Sequence, residues 1–151
     1  HMFAPRPSVV VKQLARVLKP GGILAFSTWP KELFMGKFFK LIESFSEPHP
    51  FEVASPVLWG DMAIIEDRLK DHFDHIEFAR DTMFAPTMSP AHMLKLFEKN
   101  AGPLANLVKA LADDPTKLSN LRNAALVLIE KFFSNNFLRQ DFLMTRCVKK
   151  T

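Results

Sequence analysis

The stretch from Pro7 to Trp29 constrains the fold more than any other part of the chain. Its first half carries apolar residues at the i, i+4, i+7 and i+8 spacing of a helix, namely Val10, Leu14, Val17 and Leu18. Pro20 disfavours helical backbone at the residue before it, and Gly21 can adopt the positive φ of a tight turn. We therefore expect an amphipathic helix over residues 7–18 that ends in a glycine turn.

The run from Ile23 to Trp29 follows this turn and is apolar on both faces at first, until Pro30 closes it. A short run of this kind is typical of a strand in a parallel sheet that is buried from both sides. Helix, glycine turn and buried strand together make one half of a crossover unit. The predicted fold class is therefore α/β.

The remaining pattern predicts further helices and two more strands. Apolar residues at helical spacing, with start signals at Asp61, Ser89-Pro90 and Asp114-Pro115, predict helices over 31–45, 61–73, 89–102, 103–112 and 114–135. Alternating apolar residues predict strands over 75–84 and 141–149. The prolines between the second and third helices, Pro48, Pro50 and Pro56, predict loop or short extended pieces.

Composition limits the class of protein. A chain of 151 residues with 48% hydrophobic and 24% charged residues is typical of one globular domain, and no apolar run reaches the ~18 residues of a membrane span. The single cysteine, Cys147, excludes a disulfide framework, and with no secretory leader in view we expect a cytoplasmic protein. The net charge is +4, but basic residues are scattered among acidic ones, so we expect no nucleic-acid partner.

Residues 14–22 read Leu-Ala-Arg-Val-Leu-Lys-Pro-Gly-Gly, and the apolar run of residues 23–29 follows them directly. This combination resembles the end of the helix after the fourth strand, and then the fifth strand, of class I S-adenosylmethionine-dependent methyltransferases. In that family the fifth strand lies between the fourth and the seventh. The match is closest to the small-molecule type, similar to quinone-biosynthesis methyltransferases.

The resemblance extends along most of the chain but covers only the C-terminal half of the family fold. It implies a partial Rossmann-like sheet of about three strands, with a core of residues 7–29, 61–84 and 141–149. The helix over 61–73 and the strands over 75–84 and 141–149 match the last core elements of the family. The inserts at 31–59 and 87–135 resemble its helical cap over the substrate, so we expect 1–151 to form a single domain.

The family binds its cofactor through a glycine-rich loop after its first strand. This chain has five glycines, at positions 21, 22, 36, 60 and 102, and no G-x-G. Without such a loop the backbone cannot approach the cofactor closely. The resemblance therefore implies S-adenosylmethionine for the complete protein, whereas we expect no cofactor-binding residues and no activity in this chain alone.

A substrate pocket is expected where the first strand ends, because open α/β sheets bind ligands at that end of their strands. Its expected lining, with aromatic residues from the cap above it, is Ser27, Thr28, Trp29, Phe34, Phe38 and Trp59. The alternative is ordinary packing. The chain has 15 Phe and no Tyr, which suits a core as well as an apolar ligand.

No residue pattern in the sequence forms a catalytic group, and no metal site is expected. His72 and His75 have a spacing seen in metal sites, but a surface pair at a helix end is the simpler interpretation. Cys147 lies in an expected strand with no activating base beside it, so we expect no nucleophile there.

The leading hypothesis is the C-terminal portion of a methyltransferase that acts on a small apolar acceptor. The alternative is a non-enzymatic module, derived from that fold, that binds an apolar ligand or another protein. Because the fourth strand is missing, residues 23–28 should present a free edge, and the helix before them should expose its Val10, Leu14 and Val17 stripe. We therefore expect a homodimer, formed through this edge or by exchange of the N-terminal helix.

Overall fold

The computed structural model describes residues 1–48 and 54–151. Within them the protein is a mixed structure of helices and strands. The α-helices are α1 (Pro7–Val17), α2 (Phe34–Phe45), α3 (Met62–Leu69), α4 (Pro90–Asn100), α5 (Gly102–Ala110) and α6 (Pro115–Glu130). The strands are β1 (Ile23–Thr28), β2 (Phe73–Pro86), β3 (Phe133–Ser134) and β4 (Phe137–Lys149). This confirms that the fold combines helices with a sheet.

Three helices begin at the residues that the sequence indicates. The Asp61 carboxylate accepts from the N–H groups of Ala63 and Ile64 at the start of α3. Ser89 and Asp114 cap α4 and α6 in the same way, each followed by a proline in the first turn. A side chain that accepts these hydrogen bonds satisfies amides that have no partner inside the helix. Local chemistry therefore sets these three helix starts.

The turn between α1 and β1 is of type II. Gly22 N–H donates to Lys19 O at 2.8 Å, with Pro20 and Gly21 as the central residues. Gly21 has φ +75°, which a type II turn requires at that position and which glycine adopts without strain. The Gly21 N–H also donates to the carbonyl oxygen of Lys149, the last residue of β4, so the turn leads directly into the pairing of β1 with β4.

The sheet corrects the prediction of a parallel strand. Its order is β1-β4-β2, with β3 also paired to β4, and β1 runs antiparallel to β4 from Ile23↔Val148 to Thr28↔Leu143. A partner more than a hundred residues along the chain decides this orientation, and no local pattern reports it. The strand is also not buried from both sides: Ile23 is 53% exposed, because only one face of β1 is covered.

A hairpin was missed near the end of the chain. Phe133–Ser134 and the start of β4 pair across a two-residue loop, Asn135-Asn136, in which both residues have positive φ. Two such residues make the hairpin turn that matches strand twist, and asparagine tolerates this conformation. The helix expected to reach Asn135 therefore ends at Glu130, and the last strand begins at Phe137 and not at 141.

Other boundaries differ more modestly. Helix α2 begins at Phe34 and α3 ends at Leu69, because Phe73 already belongs to β2. Of the proline-rich stretch, Pro50 lies outside the described residues. Residues Pro56–Gly60 form a short 3-10 helix, η1, and not the expected loop or extended piece.

The chain divides into two compact units. The first comprises His1–Lys31, His49–Asp81 and Asp141–Thr151, and the second comprises Glu32–Pro48 and Thr82–Gln140. Trp59, which the sequence assigned to the cap, belongs to the first unit. In the second unit α2, α4, α5 and α6 surround an apolar core that includes Phe34, Phe38, Leu104, Leu121 and Ile129. The prediction of a single domain stays a prediction.

No helix among the described residues has both the length and the apolar character that crossing a membrane requires.

Candidate functional site

Trp59 is the centre of an aromatic cluster in the first unit. The side chain is 1% exposed, and its ring lies 5.8 Å from the Phe26 ring in an edge-to-face arrangement. The His1 ring lies 4.6 Å from Phe26 and 5.0 Å from Trp59. Edge-to-face rings at these distances attract each other beyond their burial of apolar area. We call the Trp59 and Phe26 rings the Trp59 cluster.

Gly60 fixes the position of Trp59 against the end of β1. A Cβ atom at residue 60 would lie 2.2 Å from the carbonyl oxygen of Trp29 and 2.6 Å from Cα of Pro30. Real Cβ atoms do not approach other atoms so closely, so only glycine lets these two backbone segments meet. The 3-10 helix η1 therefore packs directly on the residues that follow β1.

Arg68 adds a cation to this cluster. Its guanidinium carbon lies 4.6 Å from the Trp59 ring centroid, within the range of a cation–π contact. Burial lowers the pKa of Arg68, and neither its Nη1 nor Trp59 Nε1 has a hydrogen-bond partner among the described residues. Arg68 was not expected here, because it follows Glu66 and Asp67 in a pattern typical of a solvated helix face.

The three expected pocket residues at the end of β1 point in different directions. Thr28 is buried and its hydroxyl donates to the carbonyl of Leu143 at 3.4 Å, whereas Ser27 is exposed on the other face of the sheet. Successive strand residues alternate between faces, which explains this difference. Trp29 is partly buried, and its backbone is the part that contacts η1.

Phe34 and Phe38 lie in the second unit, inside its core. They are 0% and 1% exposed, and their rings are 5.6 Å apart. Both also contact Phe97, at 6.1 Å and 5.0 Å. These are the contacts of close helix packing. Of the six expected pocket residues, the first unit therefore holds Ser27, Thr28, Trp29 and Trp59, and the second unit holds Phe34 and Phe38.

An apolar groove runs along α1 in the first unit. It has a volume of about 490 Å³ and is lined mainly by Val9, Val10, Leu14 and Val17. The helix buries Val11 and Ala15 and turns this valine and leucine stripe outward, with Val17 64% exposed. The sequence pattern predicted an exposed stripe but not a groove.

Chemically reactive groups are sparse. Burial raises the pKa of the Cys147 thiol to about 11, which leaves it protonated at neutral pH. Within the ranges 1–48 and 54–151, no three His, Cys, Asp or Glu side chains lie together in a way that could hold a metal ion. The first unit therefore contains an aromatic cluster around the buried Trp59, with the Arg68 cation beside it, and an apolar groove along α1.

Comparison with known proteins gives relatives without an assigned function. An uncharacterised protein of Mycobacterium tuberculosis H37Rv is 25% identical over 144 residues, which is 95% of this chain and 53% of the relative. A second uncharacterised protein of the same strain is 23% identical over 150 residues, 99% of this chain and 55% of the relative. The chain thus spans about half the length of the curated relatives it matches. No model of a known protein family matches it.

Proposed function

We propose that this chain is the acceptor-binding, C-terminal portion of a class I S-adenosylmethionine-dependent methyltransferase that acts on a small apolar molecule. The observation that carries the proposal is the pairing of β1 with β4. The resemblance matches these segments to the fifth and seventh strands of the family, which are neighbours in its sheet. The helix-Pro-Gly-Gly-strand motif and this long-range pairing both support the proposal.

The glycines at the turn and in η1 already have structural roles. Gly21 and Gly22 form the turn and hydrogen-bond with Lys149, and the space beside Gly60 is filled by the Trp29 backbone. The chain has no G-x-G loop against which a cofactor could lie. In this proposal the cofactor-binding half belongs to a longer protein, and the chain alone neither binds the cofactor nor transfers a methyl group.

The part of catalysis left to this chain is positioning. A methyl transfer needs the acceptor atom in line with the methyl group, and correct placement alone supplies a large share of the rate. Trp29 follows β1 directly, and the packing of η1 on its backbone fixes where it stands. An aromatic wall here would hold a flat apolar acceptor and keep water away from it. A cytoplasmic location belongs to the same proposal.

The alternative function, a non-enzymatic module for apolar ligands, is favoured by one observation. The groove on α1 is apolar and open, and its lining includes none of the residues that follow β1. The two candidates therefore place an apolar ligand at different residues. Substitution of one residue in each place separates them.

A thermal-shift titration with 1,4-naphthoquinone tests both candidates. A ligand that binds only the folded chain raises the Tm, so we expect a rise of about 3–11 °C when the probe is at ~10–100 times its Kd. Trp29→Ala should abolish the rise, whereas Met88→Ala, at a side chain that is 74% exposed, should leave it intact. A rise lost in Val17→Lys but kept in Trp29→Ala favours the binding module, and no rise at all contradicts both.

Calorimetric titration with S-adenosylmethionine tests the assignment of the missing half. We expect no saturable heat at micromolar ligand with this chain. A one-to-one isotherm would show that the chain has a cofactor site of its own, contrary to the proposal.

A further inference from the structure

Three apolar side chains are exposed together in the second unit, beside the hairpin between β3 and β4. Phe84 of β2, Met88 between β2 and α4, and Phe137 of β4 are 58%, 74% and 42% exposed. The Phe84 and Phe137 rings lie 6.3 Å apart, edge to face. The Thr87 N–H donates to the carbonyl oxygen of Asn136, which brings the chain next to Met88 against the hairpin turn. We call Phe84, Met88 and Phe137 the hairpin patch.

The polar groups around the hairpin patch are hydrogen-bonded inside the protein. The Asn136 carbonyl accepts from Thr87 N–H at 2.9 Å, and the Thr87 hydroxyl lies 2.9 Å from His92 Nδ1. Ser89 Oγ accepts from the His92 N–H at the start of α4. A polar group that leaves water without a partner opposes transfer to an apolar medium. Because these groups already have partners, little opposes the transfer of the hairpin patch out of water.

The charges near the hairpin patch suit an anionic lipid surface. Residues 82–91 carry no Asp, Glu, Lys or Arg, and residues 131–140 carry two cations, Lys131 and Arg139, and no acid. Charged residues are the most costly to bring into a bilayer, whereas cations close to its surface are attracted by anionic headgroups. The two segments therefore combine an uncharged apolar surface with positive charge beside it.

The two cations lie behind the hairpin turn at a similar distance from it. Arg139 follows Asn136 by three residues along the chain, which places it about 10 Å from the turn at ~3.3 Å per strand residue. The Arg139 N–H donates to the carbonyl oxygen of Phe132, so Lys131 lies at nearly the same level on the other arm. Interfacial segments bury their apolar side chains about 5–10 Å into the headgroup region. With the hairpin patch at that depth, both cations reach the level of the lipid phosphates.

A second copy of the chain fits the hairpin patch less well. At ~200 Å² for a fully exposed side chain of this size, the three side chains present roughly 350 Å² to water. Two copies that covered each other would bury roughly 700 Å², below the ~1,200 Å² at the lower end of stable interfaces. A lipid surface needs no such matching area, because it deforms around each inserted side chain.

We infer that the hairpin patch docks this chain on an anionic lipid surface, with Phe84, Met88 and Phe137 inserted among the headgroups. The inference rests on the second unit and is independent of the proposed methyltransferase function. The two ends of the chain, His1 and Thr151, both belong to the first unit. Small apolar molecules accumulate in lipid, so this docking is compatible with the proposed acceptor.

Sedimentation with vesicles tests the inference. We expect the chain to sediment with vesicles of phosphatidylcholine and phosphatidylglycerol in about a 2:1 ratio. Met88→Ser should lower the partition coefficient at least about fivefold, because the apolar area that it removes no longer enters the lipid. Met62→Ser, at an exposed position in the first unit, is the matched control and should bind like the unmodified chain. No sedimentation of the unmodified chain, or equal losses in the two variants, would overturn the inference.

Tryptophan fluorescence tests insertion without relying on a loss of binding. Brominated phosphatidylcholine in the same vesicles should quench Phe84→Trp at least about three times as strongly as Met62→Trp, because only the first side chain enters the lipid. The unmodified chain, which contains Trp29 and Trp59, gives the emission to subtract. Equal quenching of the two introduced tryptophans contradicts the inference.

Light scattering without lipid tests the competing occupant. We expect the mass of the chain to be the same in the unmodified chain and in Phe84→Ser. A mass of twice 17.2 kDa that Phe84→Ser returns to 17.2 kDa would assign the hairpin patch to a second copy and overturn the inference.

Discussion

Substitution of Gly60 by alanine tests whether the absence of a side chain at this position is what allows η1 to pack on the end of β1. The added Cβ would lie 2.2 Å from the Trp29 carbonyl oxygen and 2.5 Å from its carbonyl carbon. Both atoms belong to the backbone, so no side-chain rotation relieves the clash, and one segment must move by about 1 Å. Overpacking of this kind lowers the free energy of unfolding by about 1–3 kcal/mol. Because the contacted atoms belong to the backbone, the loss for Gly60→Ala should lie near the upper value.

A second effect acts in the opposite direction. Alanine restricts the backbone of the unfolded chain, which raises the free energy of unfolding by about 0.4–1 kcal/mol wherever the native backbone conformation accepts alanine. The net loss for Gly60→Ala is therefore about 2 kcal/mol. For a chain of this size that corresponds to a decrease in Tm of about 4–8 °C. The measurement is thermal unfolding followed by far-UV circular dichroism, with urea unfolding to obtain the free energy.

Gly102→Ala is the matched control. No atom lies within 4 Å of a Cβ built on Gly102, which begins α5, so only the entropic effect remains. Its Tm should rise by about 1–4 °C. If Gly60→Ala unfolds within 1 °C of the unmodified chain, the close approach of η1 to Trp29 is not a constraint on the native structure.

Two further substitutions test local chemistry. Asp61→Ala should lower the free energy of unfolding by about 1 kcal/mol, because two α3 amides lose their acceptor. Asp61→Asn keeps an acceptor and should lose less than half as much. Urea unfolding measures both values, and equal losses would assign the effect to the carboxylate charge. Burial raises the pKa of the Cys147 thiol from 9.0 to about 11, so the thiol of the unfolded chain releases its proton at lower pH. The free energy of unfolding should therefore fall as the pH rises from about 9 to about 11. This fall should be smaller in Cys147→Ala, and identical pH profiles of the two proteins would contradict this prediction.

Helix starts were predictable because their determinants are local. Asp61, Ser89 and Asp114 each accept a hydrogen bond from an amide two or three residues further on, so a short window of sequence contains the whole interaction. The hairpin at Asn135-Asn136 was also readable in principle. Two asparagines between apolar residues are a signal for a turn with positive φ, but they were interpreted only as the end of a helix.

The direction and burial of β1 were not predictable in the same way. An apolar run shows that a strand can be covered on both faces, but coverage depends on which elements the rest of the chain supplies. Here only one face is covered, and Ile23 remains half exposed. The candidate site was not predictable for the same reason. Gly60 brings η1, which contains Trp59, against the backbone of Trp29, about thirty residues earlier in the chain. Arg68 joins the cluster from a helix whose sequence is typical of a solvated face.

The central position of β4 determines when this sheet can form during synthesis. Ile23 pairs with Val148, so β1 leaves the ribosome well before the strand that it needs. At about 5–20 residues per second, that delay is roughly 6–25 s. During this interval the uncharged residues of β1 are available to chaperones and to other nascent chains. Native pairing of so large a sequence separation also slows folding. Sheet formation in this protein must therefore wait until β4 has emerged, and its yield in a cell should depend on what protects β1 until then.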